Sequence, residues 1–276
     1  MNESYINQRL TEKQLTVNDI DDEDVRAYLE NFVEENLNVL RSVFSVIELR
    51  TIPGANYIPN VYKFKEFSRE NGELQPTRLK YSYSELYIPS ELNEIMEFFL
   101  TLDLTQRGIF KRSPSIVIVE AAIKDFEECM RTRSSIHEKL ARYDAITIPS
   151  VFKNVFNYYE MPLFPKEFVD YFCRIKRLPR IDDQHTALKF LLLCMPRTNR
   201  STLEAVIRFI EIVHELASQK DEEHQEHMDF SGFVSVMMPK LMLKSNIRVR
   251  LENLKDLIDM LLIVFRKYSC FVGVVD

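Results

Sequence analysis

The chain has 276 residues, 46% hydrophobic and 28% charged, which is enough apolar material for a large core and unlike a disordered composition. No apolar run approaches the roughly 20 residues that cross a bilayer, and the opening MNESYINQRLTEKQ lacks the apolar stretch of a secretory signal, so the expected compartment is the cytoplasm or nucleus. A net charge of -6 argues against nucleic acid as the main ligand, because backbone binding needs a dense basic surface.

From Asp21 the stretch DDEDVRAYLENFVEENLNVLRSVFSVIEL sets Val25, Tyr28, Leu29, Phe32, Val33, Leu37, Leu40, Phe44 and Ile47 at helical spacing, behind an acidic start that suits the helix dipole. This predicts one long amphipathic helix. Residues 51 to 84 change character: Pro53-Gly54, then Tyr62 and Phe64 alternating with lysines, an Asn71-Gly72 turn signal, and Leu79, Tyr81 and Tyr83 alternating with polar residues. That pattern reads as a hairpin and as the joint between an extension, residues 1–79, and a main domain, residues 80–276.

Beyond the joint the pattern is helix upon helix. Pro89-Ser90 opens a run with Leu92, Ile95, Met96 and Phe99 on one face, and Pro149-Ser150 opens another with Val151, Val155, Tyr158 and Tyr159. A third run begins near Pro165, and LKFLLLCM is apolar nearly all round, as a central helix would be. Ser201-x-x-Glu204 reads as a capping box ahead of Leu203, Val206, Ile207, Ile210 and Val213. A last run from Leu251 to Tyr268 closes an all-α bundle with a helical N-terminal extension.

Cys129, Cys173, Cys194 and Cys270 are widely spaced, and three of them sit in apolar helical patterns, which reads as reduced thiols. The five glycines form neither GxGxxG nor GxxxxGK[ST], so no nucleotide-cradling loop and no cofactor are expected. His224 and His227 stand at i, i+3 within DEEHQEH without a second ligand pair, and no metal is expected there. No serine or cysteine has the context of a catalytic nucleophile.

Four landmarks occur in order along residues 80 to 270: IPSELNEIMEFFLTLDLTQRGIFKRS (88–113), IPSVFKNVFNYYEMPLFP (148–165), LCMPRTNRSTLEAVIRFIEIV (193–213) and HMDFSGFVSVMMPKLM (227–242). Together they resemble the RhoGAP domain family, helical modules that accelerate GTP hydrolysis by Rho-family small G proteins. They match that family's G-I-F-R loop, its lysine-bearing helix with a P-L-x-P turn, its L-P-x-x-N-x-x-x-L segment, and its N-L-A-x-x-F-x-P-x-L signature.

The resemblance implies a partner, a Rho-family GTPase in its GTP-bound form, and a mechanism in which a cation is supplied in trans. An inserted arginine is worth roughly 10³ to 10⁵ in rate, because it neutralises transition-state charge on the phosphoryl group. The family's finger arginine falls on Lys111, with Arg112 next to it. Lysine keeps the charge and loses the planar fork. The family's docking positions fall on Lys153, which matches, on Asn157 in place of an arginine, and on Gly232 in place of an asparagine.

Two functions therefore stand: a GTPase activator working through Lys111 or Arg112, and a module that binds the GTPase without speeding hydrolysis. A helical scaffold with an unrelated partner is the third reading. In the first two, the GTPase brings the chain to membranes. Pro162, Leu163 and Pro239 read as punctuation at helix ends, and Asn199 as a cap or turn residue.

Overall fold

The computed structural model describes residues 22–51, 76–78, 85–104, 106, 108–159, 162–165, 167–218, 230–243 and 251–272. The expected single N-terminal helix is three pieces: α1 (Asp22–Glu35), α2 (Leu37–Arg41) and α3 (Val46–Thr51). Asn36 leaves the helical region at φ -113°, ψ 16°. A second break falls at Ser42–Ser45, where Ser45 N–H donates to Glu48 Oε2 at 2.6 Å and Glu48 N–H donates to Ser45 Oγ at 3.2 Å. That reciprocal pair is a capping box, and it restarts the helix in a new direction while Val43 and Phe44 turn into the core.

β1 (Pro76–Arg78) and β2 (Glu85–Tyr87) form an antiparallel ribbon with Thr77 opposite Leu86. The strands expected around Tyr62–Phe64 and Leu79–Tyr83 and the Asn71-Gly72 turn lie outside the described residues. The rest is helical: α4 (Ser90–Leu100), α5 (Ile116–Thr132), α6 (Ile136–Leu140), α7 (Ile148–Val155), α8 (Phe168–Lys176), α9 (Ile181–Leu193), α10 (Arg197–Ser218), α11 (Phe230–Met242) and α12 (Leu251–Val272). The architecture is all-α. The sequence reading did not single out α5, whose opening Ile116-Val117-Ile118 is β-branched throughout, a weak helix start, and is exposed in the fold.

α10 is almost wholly buried, from Leu203 to Leu216, and its Phe209 meets Phe99 of α4 at 5.3 Å and Phe152 of α7 at 4.9 Å. Rings buried to this degree contribute about 1.5–3 kcal/mol each. Ser201 and Glu204 do not cap this helix. It starts after Pro196, with Arg200 N–H bonded to Pro196 O at 2.9 Å, so both residues lie inside it and are buried. Arg200 Nη1 instead donates to Leu193 O at 3.0 Å and Met195 O at 2.7 Å, sealing carbonyls at the end of α9. Pro239 is likewise not at a helix end but inside α11, on its exposed side.

α12 packs on α8, α9 and α11, and α9 also carries α1 and α2. Phe44 sits between Tyr171 of α8 and Phe190 of α9, each ring centroid 5.1 Å away. Lys189 Nζ stands over Tyr28 and Phe32 of α1 at 5.4 and 5.7 Å. The apolar stripe of the extension is thus packed within the chain through Val25, Leu29, Leu40 and Phe44, with Tyr28, Phe32, Val33 and Leu37 partly buried beside them, while Ile47 is left exposed. Cys129, Cys173 and Cys194 are buried and Cys270 is exposed, all as thiols; burial pushes the Cys194 thiol well above its usual range.

Candidate functional site

The basic loop leaves α4 at Thr101 and is shaped by two residues in the left-handed region, Gly108 at φ 83° and Phe110 at φ 65°. Glycine adopts that region freely; for a bulky aromatic it is a strained state that surrounding contacts must hold. Those contacts are aromatic. The Phe110 ring stacks on Phe99 at 5.4 Å and meets the edge of Phe233, on α11, at 4.4 Å. Lys111 and Arg112 N–H both donate to Gly108 O, at 3.0 and 2.8 Å, closing a tight turn. With Ile109 and Phe110 turned inward, Lys111 and Arg112 are left exposed at the surface.

The two cations differ in disposition. A Cβ on Gly108 would stand 2.5 Å from Arg112 Cγ and 2.7 Å from its Cδ and Nε, so the Arg112 stem lies against the Gly108 backbone. Glycine here serves the positive φ and the close approach together. Gly232 stands next to Phe233 in α11 and so beside the foot of the loop, half-buried.

Lys153 and Asn157 come from α7 and the turn that ends it. α7 packs on α4, α5 and α11, and Phe152 beside Lys153 meets Phe99 at 6.4 Å, so this surface and the loop share one aromatic footing. Lys153 is half-buried, and burial, with a further contribution from the Lys240 charge, lowers its pKa below the usual lysine value. Lys240 reaches across from α11, where its Nζ donates to Asn157 Oδ1 at 3.1 Å. Asn157 Nδ2 donates to Asn154 Oδ1 at 2.5 Å, Asn154 Nδ2 to Tyr158 Oη at 3.0 Å, and Tyr158 O–H to Glu127 Oε1 of α5 at 2.6 Å. Every donor in this chain points one way, from the Lys240 cation to the Glu127 carboxylate.

Sequence reasoning did not single out Lys240, and no local pattern marks it, since what places it beside α7 is a contact with a residue 83 positions away. Asn199 is structural: its Nδ2 donates to Leu163 O at 2.7 Å in the core, and Phe164 N–H donates to Leu241 O at 3.1 Å, fixing the turn after α7 against α10 and α11. His224 and His227 lie outside the described residues, among which no group of three or more His, Cys, Asp or Glu side chains is placed to hold a metal ion.

The RhoGAP domain model matches residues 89–246, more than half of the chain, and spans the loop, α7 and α11. The chain belongs to the RhoGAP domain family. Among solved structures, this RhoGAP domain is similar to the BH domain from Graf, the GTPase regulator associated with focal adhesion kinase, with a TM-score of 0.53 and 16% identity over 66% of this chain and 92% of that one. It is also similar to human Rho GTPase activating protein 15, with a TM-score of 0.53 and 20% identity over 67% of this chain and 84% of that one. Both likenesses concern the fold. No curated protein matches the sequence. The RhoGAP match begins at Pro89, so α1 to α3 and the ribbon precede it, and α12 follows it. No helix among the described residues is long and apolar enough to cross a membrane.

Proposed function

We propose that this chain is a GTPase-activating protein for a Rho-family small GTPase, binding the GTP-loaded form and presenting the 108–113 loop to the γ-phosphate. The observation that carries this reading is the loop itself. A left-handed Phe110, clamped between Phe99 and Phe233, anchors a turn whose next two side chains are exposed cations. Strain of this kind, of order 1–3 kcal/mol, gathers where backbone geometry serves a site. Lys111 sets a cation beside the phosphoryl oxygens, and Arg112, released from Gly108, adds a guanidinium fork. Lys153 docks the GTPase, with Asn157 and Gly232 lining the same approach. We take residues 80–276 as the functional domain and 1–79 as an extension, fastened through α1 to α3, with membrane recruitment supplied by the GTPase.

The test is GTP hydrolysis by Rho-family GTPases with wild type, Lys111→Ala, Arg112→Ala and the double variant, each checked for folding by circular dichroism. The double variant loses the acceleration; acceleration equal to wild type overturns the loop assignment. A second reading, binding without acceleration, is favoured by the Arg112 stem packed on Gly108 and by the absence of a side chain at Gly232. State-selective binding with no change in rate would establish it.

A further inference from the structure

Lys153 and Lys240 make an unusual pair in a chain whose net charge is -6. They belong to different helices that meet at Asn157, four residues after Lys153, where Lys240 Nζ donates to Asn157 Oδ1 at 3.1 Å, yet among the described residues neither has a carboxylate partner. Glu127 is engaged by the Tyr158 hydroxyl at the opposite end of the polar chain. Asn154 and Asn157, which separate it from the lysines, are neutral. Two like charges, one of them half-buried, destabilise each other until an anion arrives, so the arrangement is preorganised for a negative ligand. It is also aimed: the donor chain from Lys240 through Asn157, Asn154 and Tyr158 to Glu127 fixes where the Lys240 ammonium sits.

We propose that Lys153 and Lys240 together form the receptor for a carboxylate side chain on the bound GTPase, and that Lys240, positioned by Asn157, sets partner selectivity. This rests on the reading above that the GTPase docks on the α7–α11 face. A carboxylate fits better than a nucleotide phosphate because the exposed cations of the loop already address the phosphates. Lysine suits the role as well, since two independent ammonium groups can close on one carboxylate from two helices.

The experiment measures the affinity of wild type, Lys153→Ala, Lys240→Gln, Lys240→Arg and the Lys153→Ala/Lys240→Gln double variant for Rho-family GTPases loaded with GDP and aluminium fluoride, across a salt series. Alongside it, the side-chain ammonium resonances of both lysines in the free protein are titrated with sodium acetate against sodium chloride at matched ionic strength. Lys240→Gln weakens binding about tenfold and flattens the salt dependence, Lys240→Arg restores most of it, and the two single losses are not additive in the double variant. Acetate shifts both resonances more than chloride does. Wild-type affinity in a folded Lys240→Gln protein, or strictly additive losses, overturns the proposal. If no GTPase binds wild type but acetate still shifts both lysines, the oxyanion receptor stands and its assignment to a GTPase falls. If neither responds, the receptor itself is wrong.

Discussion

The Phe110 and Phe233 rings meet edge to face at 4.4 Å, joining a left-handed loop residue to the helix that also carries Lys240. The loop is therefore set by α11 as much as by α4. Replacing Phe110 with alanine removes a buried ring flanked on two sides and should cost about 3–5 kcal/mol, the usual range for such a truncation. Thermal unfolding measures the loss. GTPase activation in that variant should fall further than the fraction unfolded explains, because the turn loses its anchor; activity that tracks only the folded fraction would mean the loop keeps its shape without the ring.

Gly108→Ala addresses Arg112. The new methyl occupies the space of the Arg112 stem, which is flexible and swings out, while the positive φ leaves a residual strain of about 1–2 kcal/mol. A lower melting temperature together with a more mobile Arg112 guanidinium, read from its side-chain NMR signals, is the expected outcome. An immobile Arg112 would show that contacts other than Gly108 hold it.

The N-terminal breaks, the loop and the α7–α11 surface show what was readable in advance and what was not. Helices whose apolar residues recur at helical spacing behind a Pro-Ser start, such as α4 and α7, were legible because local chemistry decides them. The same kind of pattern misled at Ser201 and Glu204, where Pro196 had already started the helix and tertiary burial absorbed both residues. The matching signal at Ser45-x-x-Glu48 was present in the sequence and does break a helix, but the long apolar stripe around it masked it. The loop motif drew attention to Lys111 and Arg112, and the structure leaves both exposed. Lys240 was not, because only the packing of α11 on α7 brings it to Asn157.

Lys153 offers a pH readout. Burial and the Lys240 charge lower its pKa, so its charged form destabilises the fold relative to the unfolded chain, and stability contributed at this site rises as pH climbs through the depressed value. Lys240→Gln removes one cause and leaves burial. The Lys153 pKa, followed by NMR of its ammonium group, should move up toward the ordinary 10.5. A value unchanged by the substitution would place Lys240 too far away to matter.

The seam between the extension and the bundle has limits at both ends of the pH scale. Burial works to raise the Glu48 pKa but is outweighed by bonds from Ser45 and by Arg174 at 3.3 Å, so the net shift is downward. This stabilisation is complete above the ordinary value of 4.5 and is lost as pH falls through the depressed one. Burial and the Glu48 charge push Tyr171 up to about 12, so its contribution holds below its ordinary value of 10.0 and disappears as pH rises through about 12. The Arg174 side chain is largely exposed, so Glu48→Gln should cost at most about 1 kcal/mol. It should also flatten the acid limb of stability against pH, measured by urea unfolding; an unchanged limb would assign acid sensitivity elsewhere.

Single-turnover hydrolysis of GTP by Rho-family GTPases, with and without the intact chain, tests the central claim most directly when run beside binding of their GDP, GTP and GDP–aluminium fluoride forms. The account predicts a faster turnover for at least one GTPase and tightest binding to the aluminium fluoride form, both dependent on the cations at 111 and 112. An unchanged rate with equal affinity for all three forms would contradict it.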